Sequence, residues 1–250
     1  MEENEKKMDK TVLLMLSGGR DSYLAACRLI DKGYHIKLIT YNNGHMSCTE
    51  NVIPLVEKII KVFGEERVSF AGIHMIAQNI MPFLKVVLYE NGKKWSRDYP
   101  YLPLYQLICL ACHTVMYAHS IAYCKAYDIH YIAEGAREQQ KFFVELPEMQ
   151  KEYRELCQAH GLELLLPVYD LKSDIVRKEE LAESGFLPKP CEPQCWLGCP
   201  MESELSQEQI ECLLKYYKEC MRPHLDALIE KLIQKKISLG PQGSGFSDYL

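Results

Sequence analysis

Two groups of residues in this chain are of types and spacing that could do chemistry. The first is "LSGGRDS", residues 16–22, set between the apolar run "TVLLM" and the stretch "YLAACRLIDKGY". A strand that ends in glycines and turns into a helix lets backbone N–H groups converge on an anion, and the helix dipole adds positive potential there. Ser17, Gly18, Gly19, Arg20, Asp21 and Ser22 are therefore candidate phosphate-binding residues. The two serines offer hydroxyl donors, and Asp21 could hold a magnesium ion that bridges phosphates. The spacing is neither that of a Walker A loop nor that of a dinucleotide fingerprint. The second group is made of thiols: "CLAC" (Cys109, Cys112) and "CEPQCWLGC" (Cys191, Cys195, Cys199). A CxxC at a helix N-terminus has its thiols acidified by the dipole, which favours thiolate chemistry or metal ligation.

These residues need elements to hold them, and the hydrophobic pattern supplies five short apolar runs as strands. They are residues 10–17, 35–41, 67–75, 130–136 and 162–171. Between them lie stretches with helical spacing at 22–32, 48–64, 77–90, 104–127 and 146–161, and a further one at 172–185. Alternation of this kind predicts an α/β fold: a doubly wound, mostly parallel five-stranded sheet with helices on both faces. From Ser206 a C-terminal helical extension runs to about Ile237, as one helix or two joined near Pro223. The expected organisation is a flexible N-terminus (1–10), a nucleotide-binding domain (11–185), a Cys-rich segment with C-terminal helices (186–238) and a flexible tail (239–250). The Pro- and Cys-rich stretch after Gly185 reads as irregular, and "NGKKWSRDYPYLP" as a polar, aromatic loop. Both cysteine segments follow elements that should reach the C-terminal edge of the sheet, where ligands bind in such folds. Gly135, at the end of the fourth strand, and Arg137 beside it lie on the same edge.

"SGGRDS" in this setting resembles the SGGxDS loop of the PP-loop ATP pyrophosphatases, and the resemblance spans about residues 11–185. It implies that ATP is cleaved between its α and β phosphates, that AMP is transferred to a carbonyl or carboxylate oxygen, and that the loop takes the pyrophosphate. It also implies that adenine sits at the end of the second strand, where "TYNNG" places Tyr41 and Asn42. The cysteine pattern is most like the sulfur-inserting tRNA 2-thiocytidine synthetase branch. There, a CxxC and a later cysteine hold an iron–sulfur cluster. By that likeness Cys109 and Cys112 are the pair, one of Cys191, Cys195 and Cys199 is the third ligand, and Cys109 and Cys199 join Asp21 as catalytic candidates. The implied cofactors are ATP, Mg²⁺ and a 4Fe–4S cluster, with Zn²⁺ as the alternative. Zinc would match the 7-cyano-7-deazaguanine synthases, although their cysteine steps are C-x2-C and those of "CEPQCWLGC" are C-x3-C.

Composition bounds the partners. Apolar residues make up 48% and charged residues 25%, ordinary globular values. A formal net charge of −5 lacks the basic footprint of most nucleic-acid binders and favours a small nucleobase-like substrate, whereas the thiolating branch favours tRNA. The choice stays open here, as does that of sulfide or a donor protein as the sulfur source; a homodimer fits either. No apolar run reaches the ~20 residues of a membrane span and the polar N-terminus resembles no export signal, so no membrane is expected and the cytoplasm is the default compartment. Nitrogen transfer, or nucleotide-dependent redox sensing without turnover, are the rival functions. Cys27, Cys124, Cys157, Cys212 and Cys220 fall on helical patterns and read as core residues. Lys172 and the histidines His45, His74, His113 and His119 carry no assigned role.

Overall fold

The computed structural model describes residues 10–85, 97–140, 142–184, 194–196 and 204–239. Cys191 and Cys199 lie outside the described residues, as do both chain ends, the last part of the helix expected over 77–90 and the first part of the aromatic loop that follows it. In chain order the elements are β1 (Thr11–Met15), α1 (Arg20–Asp31), β2 (His35–Asn42), β3 (Met46–Ser47), α2 (Ile53–Phe63), β4 (Val68–Met75) and α3 (Ala77–Leu84). There follow α4 (Leu104–Ala126), β5 (Tyr131–Ala133), α5 (Pro147–Ala159), β6 (Glu163–Leu165), α6 (Asp174–Glu183), β7 (Gln194–Cys195), α7 (Gln207–Tyr216) and α8 (Arg222–Leu239).

Five strands form one parallel sheet in the order β4-β2-β1-β5-β6. β1 is central, with Leu14 opposite Leu38 of β2 on one side and Ala133 of β5 on the other. Covered on both faces, it needs the unbroken apolar run "TVLLM" rather than an alternating one. The chain winds outward from β1 through β2 to β4, then crosses to the other side of β1 to lay down β5 and β6. The carboxyl ends of β1 and β5 therefore flank the point where the winding reverses, the place where open α/β sheets bind ligands.

Each face carries its own core. On one, α1, α2 and α6 bury Leu24, Ala25, Val56, Ile59 and Leu181 against Val12, Leu14 and Leu38. On the other, α3, α4, α5, α7 and α8 pack over Leu13, Ile39 and Ile132. The C-terminal helices belong to this second core: Tyr216, Tyr217, Met221, Leu225 and Ile229 are fully buried in it. A π-helical turn, Tyr217–Met221, joins α7 to α8 just ahead of Pro223. Cys27, Cys124, Cys157, Cys212 and Cys220 are all buried, as their helical positions predict.

Three expectations need correcting. The strand expected over 162–171 is only Glu163–Leu165, because Pro167 lacks the N–H that a ladder needs and the chain turns there. The stretch after Gly185 is not wholly irregular, since Gln194 and Cys195 form β7, antiparallel to β3, with Met46 opposite Cys195. And α4 does contain a window, Tyr105–Ala126, with the length and mean hydropathy (1.4) of a membrane span. That window is 72% buried inside the fold, where it forms the axis of the second core.

Candidate active site

The loop after β1 is held open by its own side chains. Ser17 Oγ accepts the Gly19 N–H at 3.2 Å, and Ser22 Oγ donates to the Gly19 carbonyl at 3.0 Å. Gly18 has φ of +85°, a conformation that L side chains rarely adopt. Gly135 is required for a different reason. A Cβ there would stand 2.6 Å from Ser22 N and 2.8 Å from its Cα, so the end of β5 and the first turn of α1 touch backbone to backbone.

Asp21, in that first turn, sits in a knot of charge. Arg177 Nη1 of α6 lies 2.9 and 3.1 Å from its two carboxylate oxygens, and Arg137 Nε is 3.0 Å from Oδ2. Asp174 joins both guanidiniums, at 3.2 Å to Arg137 and 3.1 Å to Arg177. Both arginines are buried, and Arg177 Nε meets no hydrogen-bond partner among the described residues. A carboxylate whose two oxygens already face two cations does not fit a magnesium ligand in this arrangement. Its two oxygens face two guanidiniums at the mouth of the loop.

Above the loop lies a cavity of about 240 Å³. Ser17, Asp21 and Ser22 line one end, Thr40 and Tyr41 of β2 and Met46 of β3 the side, and His113, Glu134, Gly135 and Glu145 the rest. Tyr41 is fixed in that wall by a 2.8 Å hydrogen bond to Ser120 Oγ, and burial raises its phenol well above the ordinary value. Asn42, expected beside adenine, is not among the lining residues; its Oδ1 accepts the Gly44 N–H at 2.8 Å and shapes the turn. Lys172 is exposed, away from this lining.

Two carboxyls line the cavity in contrasting surroundings. Burial drives Glu134 up, but His113 Nε2 at 3.1 Å, Gln150 Nε2 at 2.9 Å and Tyr117 Oη at 2.8 Å outweigh it and hold the group below the usual carboxylate value. Glu145 accepts only a long bond from the Arg137 N–H, 3.4 Å to Oε1, and its Oε2 is sealed from solvent without a partner among the described residues. Burial, with the neighbouring Glu134 charge, pushes it up to about 8.

Thiols gather next to two residues of the cavity wall. Asn43 is buried, its Oδ1 accepts the His45 N–H at 2.8 Å, and its amide nitrogen stands 3.9 Å from Cys112 Sγ and 3.8 Å from Cys195 Sγ. Met46, opposite Cys195 in the ribbon, and His113, next to Cys112, are both in the cavity wall. Burial, then the charges of neighbouring Cys109 and Cys195, pushes Cys112 up to about 12. The expected acidification of the CxxC is thus reversed at Cys112. The helix starts at Leu104, so Cys109 and Cys112 lie beyond the first turn, where the dipole is felt. Among the described residues no three His, Cys, Asp or Glu side chains stand close enough to hold a metal ion. Three converging thiols suit iron or zinc by donor type, but the described set does not by itself make such a site, and no step is routed through one.

Sequence reasoning passed over Arg177, Asn43, Glu134 and Glu145. The signal for Glu134 was present, adjacent to Gly135 at a strand end. Arg177 lies within "DIVRKEE", where a charged helical residue reads as solvated.

A parallel sheet whose first strand ends in this loop at its reversal point, with a cleft above, defines the PP-loop class of α/β proteins. Within that class the chain belongs to the ThiI family, described as thiamine biosynthesis protein (ThiI), whose model matches residues 7–137. No curated protein matches it by sequence. Among solved structures it is similar to a 4-thiouridine synthetase in complex with RNA and bound ATP, with TM-score 0.56 and 16% identity over 90% of this chain. It spans about half (53%) of that synthetase chain. A predicted subunit of tRNA methyltransferase from Methanocaldococcus jannaschii also matches, with TM-score 0.44 and 20% identity over 68% of this chain and 75% of the other.

Proposed function

We propose that this protein is an ATP-dependent, AMP- and pyrophosphate-forming enzyme that adenylates a carbonyl oxygen of a nucleobase in tRNA and replaces that oxygen with sulfur. The observation that carries the reading is proximity: the phosphate loop lines the cavity, and two other wall residues, Met46 and His113, adjoin Cys195 and Cys112, between which the Asn43 amide stands. The family membership and the ATP- and RNA-bound neighbour support a nucleotide at the loop and RNA as the carrier of the base.

In this reading the β and γ phosphates lie on the loop amides and the Ser17 and Ser22 hydroxyls, and Arg137 and Arg177 turn part of their hydrogen bonding from Asp21 to the phosphates. Preorganised donors of this kind stabilise the charge that develops on the leaving pyrophosphate. The substrate oxygen attacks the α-phosphorus and the bond to the β-phosphate bridge breaks. A sulfur nucleophile at the oxidation level of sulfide then attacks the carbon, and AMP leaves with the original oxygen. Cys109, Cys112 and Cys195, with Cys191 and Cys199 as further candidates, hold or deliver that sulfur. Were a cluster or a zinc ion held here, Cys109, Cys112 and Cys195 would be among its ligands and it would supply Lewis-acid binding of sulfide.

The test is product analysis with ATP, tRNA and sulfide. AMP and pyrophosphate in equal amounts, with sulfur in the tRNA, are expected. ATP bound with no AMP made would contradict the reading and favour a nucleotide-binding module. AMP formed with ammonia but not with sulfide would favour the nitrogen-transfer branch.

A further inference from the structure

Glu145 is not accounted for by phosphate binding or by sulfur delivery, yet its surroundings are built with care. The short 3-10 turn that carries it, Phe143–Glu145, is clamped on its main chain from two sides. Tyr169, after β6, donates its hydroxyl to the Glu145 carbonyl at 2.8 Å, and Gln150 of α5 donates to the Val144 carbonyl at 2.8 Å. Glu145 is among the residues that line the cavity, and its Oε2 is buried with no hydrogen-bond partner among the described residues. Backbone fixed and head group left unsatisfied is the reverse of a structural glutamate, whose carboxylate is normally bonded when buried.

We propose that Glu145 is the proton-exchanging group of the adenylation step, taking the ring N–H proton of a lactam-type base as its carbonyl oxygen attacks the α-phosphorus of ATP. This rests on the function proposed above. The balance is simple. The N–H bond breaks and the proton passes to Glu145, its electron pair forms the ring C=N bond, and the carbonyl pair forms the O–P bond as pyrophosphate leaves. When sulfide (as HS⁻) displaces AMP, the thiocarbonyl and ring N–H are restored, and Glu145 releases its proton to solvent.

The neighbouring charges explain why this carboxyl and not Glu134 does the work. From the end of β5, Glu134 repels the Glu145 charge; from α1, Asp21 does so more weakly. Arg137 opposes them through its N–H and its guanidinium, while His113 and Arg177 act only at one remove, paired with Glu134 and Asp21. The result is a group that titrates at about 8, a far stronger base than an ordinary carboxylate and close to working pH. Glu134 has both oxygens occupied, Oε1 by Tyr117 and Gln150 and Oε2 by His113, and stays charged and weakly basic. Two carboxyls pushed apart by their surroundings take separate tasks.

The experiment is single-turnover AMP formation from ATP, tRNA and sulfide between about pH 6 and about pH 9. The wild-type rate is expected to climb through about pH 8 and level off. Glu145→Gln should be slower by about a hundredfold and lose the climb, while Glu145→Asp should be slowed but keep it. Glu145→Gln with the wild-type rate or the wild-type climb overturns this role and leaves the proposed function standing. A flat profile in Glu145→Asp overturns it too, and covers the case in which the glutamine variant fails to fold. No AMP from the wild-type protein at any pH overturns the proposed function and this role together.

Discussion

The two ends of the cavity solve burial in opposite ways. At the phosphate end, charge is matched with charge: Asp21 and Asp174 face Arg137 and Arg177 within 3.2 Å, around a loop whose serines satisfy one another. At the thiols no counter-charge stands beside Cys112 among the described residues, only the Asn43 amide, and burial pushes the Cys112 thiol up to about 12. A site that must accept and release a polyanion benefits from cations already oriented and already screened. A site that must keep a reactive sulfur species from water benefits from a dry wall. In the proposed function these two surroundings serve two chemistries, and each should fail separately.

Cys112→Ser should break the sulfur end most completely. Sulfur incorporation into tRNA is expected to fall below detection while AMP formation persists, as measured by mass analysis of the nucleosides and by AMP release from the same reaction. Equal loss of both products would join the two ends into one. Gly135→Ala should break the phosphate end. The new Cβ would lie 2.6 Å from Ser22 N, and displacement of the loop by a few tenths of an ångström to an ångström costs about a hundredfold in AMP formation. Arg177→Ala removes one of two cations and leaves Arg137 on Asp21, so its effect should be milder: KM for ATP raised by about tenfold, corresponding to about 1.4 kcal/mol.

The smallest effect sharpens the contrast between the two carboxyls. Glu145 titrates at about 8 in the folded protein against an ordinary 4.5. Between those values the folded state keeps a proton that the unfolded chain has lost, so the group's contribution to stability declines as pH rises through the window. Glu145→Gln abolishes that decline. Its melting-temperature advantage over wild type should be smallest near about pH 5 and grow by roughly 2–4 °C for each pH unit up to about pH 8, at about 1.4 kcal/mol per unit. A constant difference at both pH values would count against the raised titration.

Much of this was legible in the sequence because the relevant signals are local. The run "TVLLM", the glycines behind it and the helical spacing after it specify a strand, a turn and a helix start without any knowledge of the rest. Parallel winding then carries Gly135 and Arg137 to the same edge. What escaped depends on contacts across long stretches of chain. The β3–β7 ribbon joins two-residue strands about 150 positions apart, and no periodicity can be read over two residues. Asn43 rather than Asn42 meets the thiols, because one step along an extended chain reverses the direction of a side chain. Glu145 lies in "FFVELPEM", where nothing local marks a carboxyl that a tyrosine and a glutamine will clamp into a cavity.

The most direct measurement is a crystal structure with a non-hydrolysable ATP analogue. The account requires the outer two phosphoryl groups on the amides of residues 18–22, with Arg137 and Arg177 in hydrogen-bonding contact and the base against Tyr41. A triphosphate bound away from the loop, or one whose α-phosphorus is turned from the cavity wall at Met46 and His113, would contradict it.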